Sequence, residues 1–136
     1  LLLDIDHFKR VNDVHGHQAG DEVLVRVAEL LSETVRNGDV VARVGGEEFA
    51  ILLPETNRLG AGVLAERIRA GIEKAEINAA GSRIPVTASL GLATFGAEQA
   101  ESIDEFLAIA DRRLYLAKNG GRNRICVNDE GKTSFA

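Results

Sequence analysis

Two pairs of carboxylates stand out because each pair lies beside a run of apolar residues. Asp4 and Asp6 end the apolar run that opens the chain, and Glu47 and Glu48 follow two glycines. A carboxylate that is buried without a partner is costly. A hard cation such as Mg²⁺ binds one or two carboxylates and completes its coordination with water and phosphate oxygens. The residue types are therefore compatible with a metal site that takes a phosphorylated substrate.

Each pair also has an ordinary structural interpretation. The two aspartates could cap a short helix that begins near His7. The two glutamates could be solvated side chains of an exposed turn. Adjacent carboxylates repel each other unless one of them binds a metal or a proton. Neither pair taken alone distinguishes chemistry from structure.

The elements around these carboxylates follow from hydrophobic periodicity. Residues 1–6 alternate as a strand, which places Leu2, Asp4 and Asp6 on one face and the odd-numbered residues on the other. Residues 40–44 and 48–53 are predicted as two strands joined by a hairpin turn, and we expect that turn to need positive φ. The glutamates would then lie at the tip of the hairpin.

The remaining elements are three helices and two strands. The helices are predicted over 19–35, over 57–77, and from a capping box at 102–105 to the stop at Gly120-Gly121. The strands are predicted over 84–95 and 124–127. This order predicts an α/β (α+β) sandwich in which helices cover one face of a mixed, largely antiparallel sheet, as in ferredoxin-like and polymerase-palm architectures. One domain over 1–127 and a polar tail over 128–136 are expected.

Composition limits the function classes. The 136 residues are 45% hydrophobic and 27% charged, which is typical of one folded domain. A net charge of −5 argues against a general nucleic-acid partner. No apolar run approaches the roughly 18 residues of a membrane span. The single cysteine, Cys126, is expected to fill space in a strand and fits a cytoplasmic location, although a parent protein could be anchored upstream.

Six short motifs occur in the order and approximate spacing of one known family. They are Asp4–Lys9, Asn12-Asp13, Gly16-His17, Gly20-Asp21, Gly45–Phe49 and Lys118–Asn123. This set resembles the GGDEF-type diguanylate cyclase domain, in its GGEEF variant, over almost the whole chain. The family joins two GTP molecules into cyclic di-GMP, a bacterial second messenger, and releases two pyrophosphates. The family pattern also includes a segment upstream of the first strand, so we expect an N-terminally truncated domain.

The resemblance implies roles for the acidic residues. Asp4 and Glu47 would be side-chain ligands of Mg²⁺, with Mn²⁺ as an alternative metal, and the carbonyl of Ile5 would be a further ligand. Glu48 would accept a proton or bind a second metal. Asp6 lies on the same face as Asp4, and its role stays open.

The resemblance also implies a substrate site. The guanine would be read by Asn12 and Asp21, with His17 beside them, although Asp21 could instead favour the dipole of the following helix. The phosphates would contact the glycines of the turn, the residues at the N-terminus of the first helix, and two cations. These residues are Gly45, Gly46, His7, Phe8, Lys9, Lys118 and Arg122. The two cations could instead interact favourably with the dipole at a helix C-terminus.

Two further expectations concern regulation and assembly. Arg36 and Asp39 form an RxxD motif five residues before Gly45, and with Arg67 they resemble the family's inhibitory product site, although solvated surface charge is the ordinary alternative. The resemblance implies a transient antiparallel homodimer, feedback by cyclic di-GMP, and a sensory domain upstream. A non-catalytic module that senses GTP or cyclic di-GMP, and a palm-type enzyme acting on another nucleotide, are the alternatives.

Overall fold

The computed structural model describes residues 1–132 of the chain. Four helices and seven strands form within these residues. The helices are α1 (Phe8–His15), α2 (His17–Thr34), α3 (Arg58–Lys74) and α4 (Ile103–Asn119). The strands are β1 (Leu2–Ile5), β2 (Val40–Arg43), β3 (Glu48–Leu52), β4 (Asn78–Ala79), β5 (Ser82–Arg83), β6 (Ala88–Gly91) and β7 (Ile125–Cys126).

The main sheet has five strands in the order β2-β3-β1-β6-β7. All neighbours are antiparallel except β6 and β7. The central strand β1 places Asp4 opposite Glu48 of β3 and Ser89 of β6. The mixed, largely antiparallel sheet is thus confirmed, and β1, β2, β3 and β6 with their intervening helices follow the β-α-β-β-α-β order of ferredoxin-like folds.

Both faces of the sheet are covered by helices, so the expectation of one covered face is wrong. The alternation in β1 sends Leu3 and Ile5 into the core that includes α2 and α3. Leu2 packs on the other face with Ala110 and Leu114 of α4. Every residue of β1 is buried, as a strand covered on both sides requires.

α4 lies close to β6 because Gly91 has no side chain. A Cβ at Gly91 would overlap the carbonyl oxygen of Ala110 and the backbone nitrogen of Leu114. The glycine that interrupts the predicted strand is therefore the contact point between helix and sheet. This contact sets the last turn of α4 over the end of β1.

Several element boundaries differ from the predictions. The run predicted as a strand over 84–95 is a strand only at Ala88–Gly91, and Pro85 supplies no N–H for a longer ladder. The short hairpin of β4 and β5 was not predicted, because strands of two residues have no detectable periodicity. α2 begins at His17, two residues earlier than predicted, and α3 ends at Lys74.

The predicted tail begins with contacts to the domain. Asp129 pairs with Arg112 and Arg113, and the N–H of Val127 donates to the carbonyl of Lys132. Residues 133–136 of the predicted tail lie outside the described residues. Among residues 1–132, no helix has the length and apolar character needed to cross a bilayer.

Candidate active site

The end of β1 meets the last turn of α4 through an ion pair. Lys118 Nζ donates to Asp4 Oδ2 at 2.7 Å, and Asp4 is only 8% exposed. Asp4 and Glu48 face each other across β1 and β3. The Leu2 face of β1 is the face that α4 covers, so Lys118 lies beside both carboxylates. The structure thus brings together residues that are 114 positions apart.

The turn between β2 and β3 is not the turn that we expected. Neither Gly45 nor Gly46 has a positive φ. The loop contains four residues, Val44 to Glu47, and longer hairpin loops are commonly built around ordinary turns with negative φ. The N–H groups of Val44 and Gly45 both donate to the carbonyl of Glu48, at 2.9 and 3.3 Å. The prediction of positive φ is therefore wrong.

Arg43 holds this turn, and the sequence analysis missed it. Its Nε donates to the carbonyl of Gly45 at 3.0 Å, and its Nη2 donates to the carbonyl of Gly46 at 2.8 Å. The guanidinium fork suits two adjacent carbonyl oxygens. The signal in the sequence for this contact is an arginine at the last position of the strand before the turn.

The two glutamates of the turn are half-buried, which does not fit a freely solvated turn. The carbonyl of Glu47 accepts from the N–H of Ile5 at 3.1 Å, so the turn is attached to the end of β1. Burial raises the pKa of Glu48, and the negative charges of Asp4 and Asp111 raise it further. Asp111, two turns before Lys118 on α4, is another acidic neighbour that the sequence analysis missed.

Asp6 is bound entirely by protein donors. Thr87 Oγ1 donates to Oδ2 at 2.8 Å, Ser89 Oγ donates to Oδ1 at 2.7 Å, and the N–H of Asn123 donates to Oδ2 at 2.9 Å. Arg122 Nη1 lies 4.0 Å from Oδ1. No side chain caps α1, so the interpretation of Asp4 and Asp6 as helix caps is wrong.

The N-terminus of α1 directly follows these aspartates. Its N-cap residue, His7, has φ 54°, and the helix has no side-chain cap. Uncapped N–H groups of a helix N-terminus are available to an anion. The backbone of Phe8 and Lys9 supplies such groups, and the Lys9 side chain is exposed in the same turn.

The residues expected at guanine lie where α1 meets α2. A Cβ at Gly20 would overlap Oδ1 of Asn12, so the Asn12 amide rests against the glycine. His17 and Asp21 are exposed, and they lie four residues apart on α2. The first turn of α2 contains no acidic residue, so the interpretation of Asp21 as a partner of the helix dipole is wrong. Asp21 and Arg43 both line a groove of about 490 Å³.

The RxxD motif is a structured turn. Asp39 Oδ2 accepts from the Arg36 N–H at 2.9 Å, and Arg36 Nη2 donates to Thr56 Oγ1 at 2.6 Å. Arg67 is exposed on α3, and no hydrogen bond described for residues 1–132 joins it to Arg36 or Asp39. The structure places two of the three predicted residues together.

The donor set suits a metal that substrate helps to bind. Within residues 1–132, no group of three or more Asp, Glu, His or Cys side chains is arranged to hold a metal ion. Asp4 nevertheless lies opposite Glu48, and the backbone of Glu47 is hydrogen-bonded to Ile5 just before the N-terminus of α1. Mg²⁺ is commonly held by one or two carboxylates together with substrate phosphates. The residues present therefore fit such an ion.

Comparison with known proteins identifies the family. The sequence model described as "Diguanylate cyclase, GGDEF domain" matches residues 1–124. The chain belongs to the GGDEF domain family. The resemblance recognised from the six motifs is therefore confirmed.

Relatives of this GGDEF domain agree in sequence and fold. Diguanylate cyclase A of Treponema denticola is 45% identical over 130 residues, which are 94% of this chain and 34% of that protein. The active GGEEF domain of a diguanylate cyclase from Vibrio cholerae is 35% identical, with a TM-score of 0.83 over 92% of this chain and 78% of that chain. The GGDEF domain of DgcB from Caulobacter crescentus, solved in complex with c-di-GMP, is 35% identical, with a TM-score of 0.82 over 92% and 74% of the two chains. The GGDEF domain spans about a third of the length of the curated relatives it matches.

Proposed function

We propose that this GGDEF domain is a diguanylate cyclase that condenses two GTP molecules into cyclic di-GMP and two pyrophosphates. The observation that carries the proposal is the ion pair of Lys118 with Asp4, which lies opposite Glu48 and next to the turn that contains Glu47. Membership of a family described as diguanylate cyclase supports the same reaction. A relative of similar fold binds c-di-GMP.

The base specificity follows from residues of α1 and α2 near the junction of the two helices. The carboxylate of Asp21 can accept from both N1–H and the exocyclic amine of guanine, and adenine offers no such pair of donors. Asn12 is fixed against Gly20 and can contact the same base. His17 adds a third polar group on the face of Asp21. We expect GTP to be preferred over ATP.

The acidic residues bind the metal, and the cations bind the triphosphate. Asp4 and Glu47 would hold Mg²⁺ or Mn²⁺, with the carbonyl of Ile5 as a further ligand. When bound, the metal supplies charge stabilisation at the reacting phosphate. Lys118 and Arg122 bind phosphate oxygens as they approach from the end of α4.

The N-terminus of α1 and the turn complete the phosphate site. The N–H groups of His7, Phe8 and Lys9 bind the triphosphate with the Lys9 ammonium, and Gly45 and Gly46 let the turn lie close to the substrate.

The reaction joins the 3′-oxygen of each GTP to the α-phosphorus of the other, so that two phosphodiester bonds form. At each α-phosphorus the bond to the pyrophosphate oxygen breaks, and two pyrophosphates leave with the bonding electrons. Glu48 accepts the proton of the 3′-hydroxyl, a role that its raised pKa favours. Holding both reactants in this geometry supplies much of the rate enhancement.

A single copy holds one GTP, so ring closure requires two copies that meet in antiparallel orientation as a transient homodimer. The product would bind as a feedback inhibitor at Arg36 and Asp39, and Arg67 would add a contact. Arginines pair with phosphates and stack on guanine. In the full-length protein we expect an upstream sensory domain and a cytoplasmic location for this domain.

The test is incubation of the purified chain with GTP and Mg²⁺, followed by chromatography for cyclic di-GMP and pyrophosphate, with ATP in parallel. We expect product from GTP alone and none from the Glu47→Ala variant, whose circular dichroism should match the parent. Tight GTP binding without product at high protein concentration would contradict the proposal and favour a sensing module. Product from ATP at a similar rate would favour a palm-type enzyme for another nucleotide.

A further inference from the structure

The loop after α4 adopts a backbone conformation that its residues disfavour. Gly121 has φ 119°, and the Arg122 N–H bonds to the carbonyl of Ala117 at 3.0 Å, which ends the helix in a Schellman-type motif. Arg122 and Asn123 then continue with φ 63° and 47°. Helix termination needs one residue of positive φ. Asparagine tolerates this region, but most other residues with side chains avoid it. Other contacts must hold the loop, and Arg122 in particular, in this conformation.

Asp6 supplies the contact from the sheet side. Its Oδ2 accepts the backbone N–H of Asn123 at 2.9 Å, and its side chain is 1% exposed. Hydroxyl donors from β6 and the residue before it, Ser89 and Thr87, fix the carboxylate itself. A buried charge with three donors is a rigid anchor, because losing any of them leaves the carboxylate with fewer hydrogen bonds in a place that water does not reach.

The anchor has a consequence for the phosphate site. Asp4 pairs with Lys118 at 2.7 Å, and Asp6 lies 4.0 Å from the Arg122 guanidinium. Each of the two cations that we assign to the triphosphate therefore lies beside one of the two aspartates at the end of β1.

We propose that Asp6 is a positioning residue: it holds the loop after α4 in its left-handed conformation and so directs Arg122 toward the triphosphate. The Asp6 carboxylate accepts three protein hydrogen bonds, and we assign it no contact with the metal. This inference rests on the proposed function, since it assumes that Arg122 contacts a nucleotide triphosphate.

The test is a double-mutant cycle read by equilibrium binding of 3′-deoxy-GTP with Mg²⁺. This nucleotide lacks the attacking hydroxyl, so binding is measured without turnover. We expect Asp6→Asn to weaken binding on the order of 10- to 100-fold, as loss of an orienting partner does. Adding Asp6→Asn to Arg122→Ala should cost little more than Arg122→Ala alone, because the anchor acts through that side chain. The Mg²⁺ concentration for half-maximal binding should rise in Asp4→Asn and stay unchanged in Asp6→Asn.

Independent, additive effects of the two substitutions would overturn the proposal, as would an Asp6→Asn variant whose only defect is a higher Mg²⁺ requirement. Urea denaturation reports whether each variant folds. If Asp6→Asn does not fold, Thr87→Val decides, because it removes one donor to the same carboxylate oxygen and keeps the charge. Weaker binding that is coupled to Arg122 supports the proposal, and unchanged binding in Thr87→Val overturns it. Failure of the proposed function is separate: the parent would bind 3′-deoxy-GTP yet make no cyclic di-GMP from GTP.

Discussion

Lys118 Nζ lies 2.7 Å from Asp4 Oδ2, so the cation that we assign to the phosphates is paired with the carboxylate that we assign to the metal. The pair neutralises a carboxylate whose side chain is 12% exposed. A bound metal would take over that neutralising role. Metal binding to Asp4 and transfer of Lys118 to a phosphate are therefore expected to occur together.

Replacement of Lys118 by Met should separate these two effects. Binding of Mn²⁺ in the absence of nucleotide should become tighter, roughly fivefold, because the ion no longer competes with an ammonium. Binding of 3′-deoxy-GTP should become weaker, because a phosphate contact is lost. Isothermal titration calorimetry measures both affinities.

Lys74→Met is the matched control, because Lys74 is an exposed lysine in the last turn of α3. It should leave both affinities unchanged. Weaker Mn²⁺ binding in Lys118→Met would show that the ammonium supports the metal site rather than competing with it.

Gly20→Ala should impair guanine recognition without unfolding the domain. The added Cβ would overlap Oδ1 of Asn12, the end of a flexible side chain that can swing away. Alanine also favours the helix by about 1 kcal/mol, so the free energy of unfolding should change little. Displacing the Asn12 amide from the base should lower kcat/KM for GTP about tenfold. Gly71→Ala, at a position on α3 with no atom within 4 Å of the new Cβ, should leave kcat/KM unchanged.

Gly91→Ala should destabilise the fold and the site together. Here the new Cβ would overlap backbone atoms of α4, the oxygen of Ala110 and the nitrogen of Leu114, which cannot rotate away. We expect the free energy of unfolding, measured by urea denaturation, to fall by about 3 kcal/mol. A stability equal to that of the parent would show that α4 does not lie against β6 as described.

Much of the fold could be predicted from the sequence, because the long helices and β1 have clear periodicity. The placement of α4 could not. The apolar stripe of α4 showed that the helix packs against another element, but the same stripe would fit either face of the sheet. Only Gly91 indicated the close approach, and a glycine within a strand can equally mark a bulge or a bend.

The site could be predicted down to residue type but not to partner. Asp4 at the end of β1 and Asp6 directly after it have the same side chain and the same position in the alternation, so nothing local distinguishes their roles. The difference comes from distant residues: Lys118 reaches Asp4, whereas Asn123 and the two hydroxyls reach Asp6. Arg43 was missed because its role depends on the carbonyl orientation in the turn.

The pH dependence of stability should carry the signature of a buried ion pair on α4. Arg113, with a side chain 5% exposed, donates to both oxygens of Glu98 at 2.7 and 3.0 Å. These hydrogen bonds lower the pKa of Glu98 from its ordinary value of 4.5, and burial opposes the shift. A carboxyl group with a lowered pKa in the folded state stabilises the protein fully above 4.5 and loses that contribution as pH falls through the folded pKa.

Glu98→Gln should therefore cost about 2 kcal/mol in the free energy of unfolding at pH 7, because the guanidinium of Arg113 loses a charged partner in a buried position. The cost should shrink as the pH falls below the ordinary glutamate value, because the unfolded parent then takes up a proton. It should vanish below the lowered folded pKa, where the folded parent also carries an uncharged side chain. Urea denaturation of parent and variant from pH 7 to pH 3 measures the difference. Glu22→Gln, at an exposed position of α2, serves as the control and should track the parent throughout. A constant difference between parent and Glu98→Gln across this range would mean that packing of the side chain, rather than its charge, secures the segment after β6 to α4.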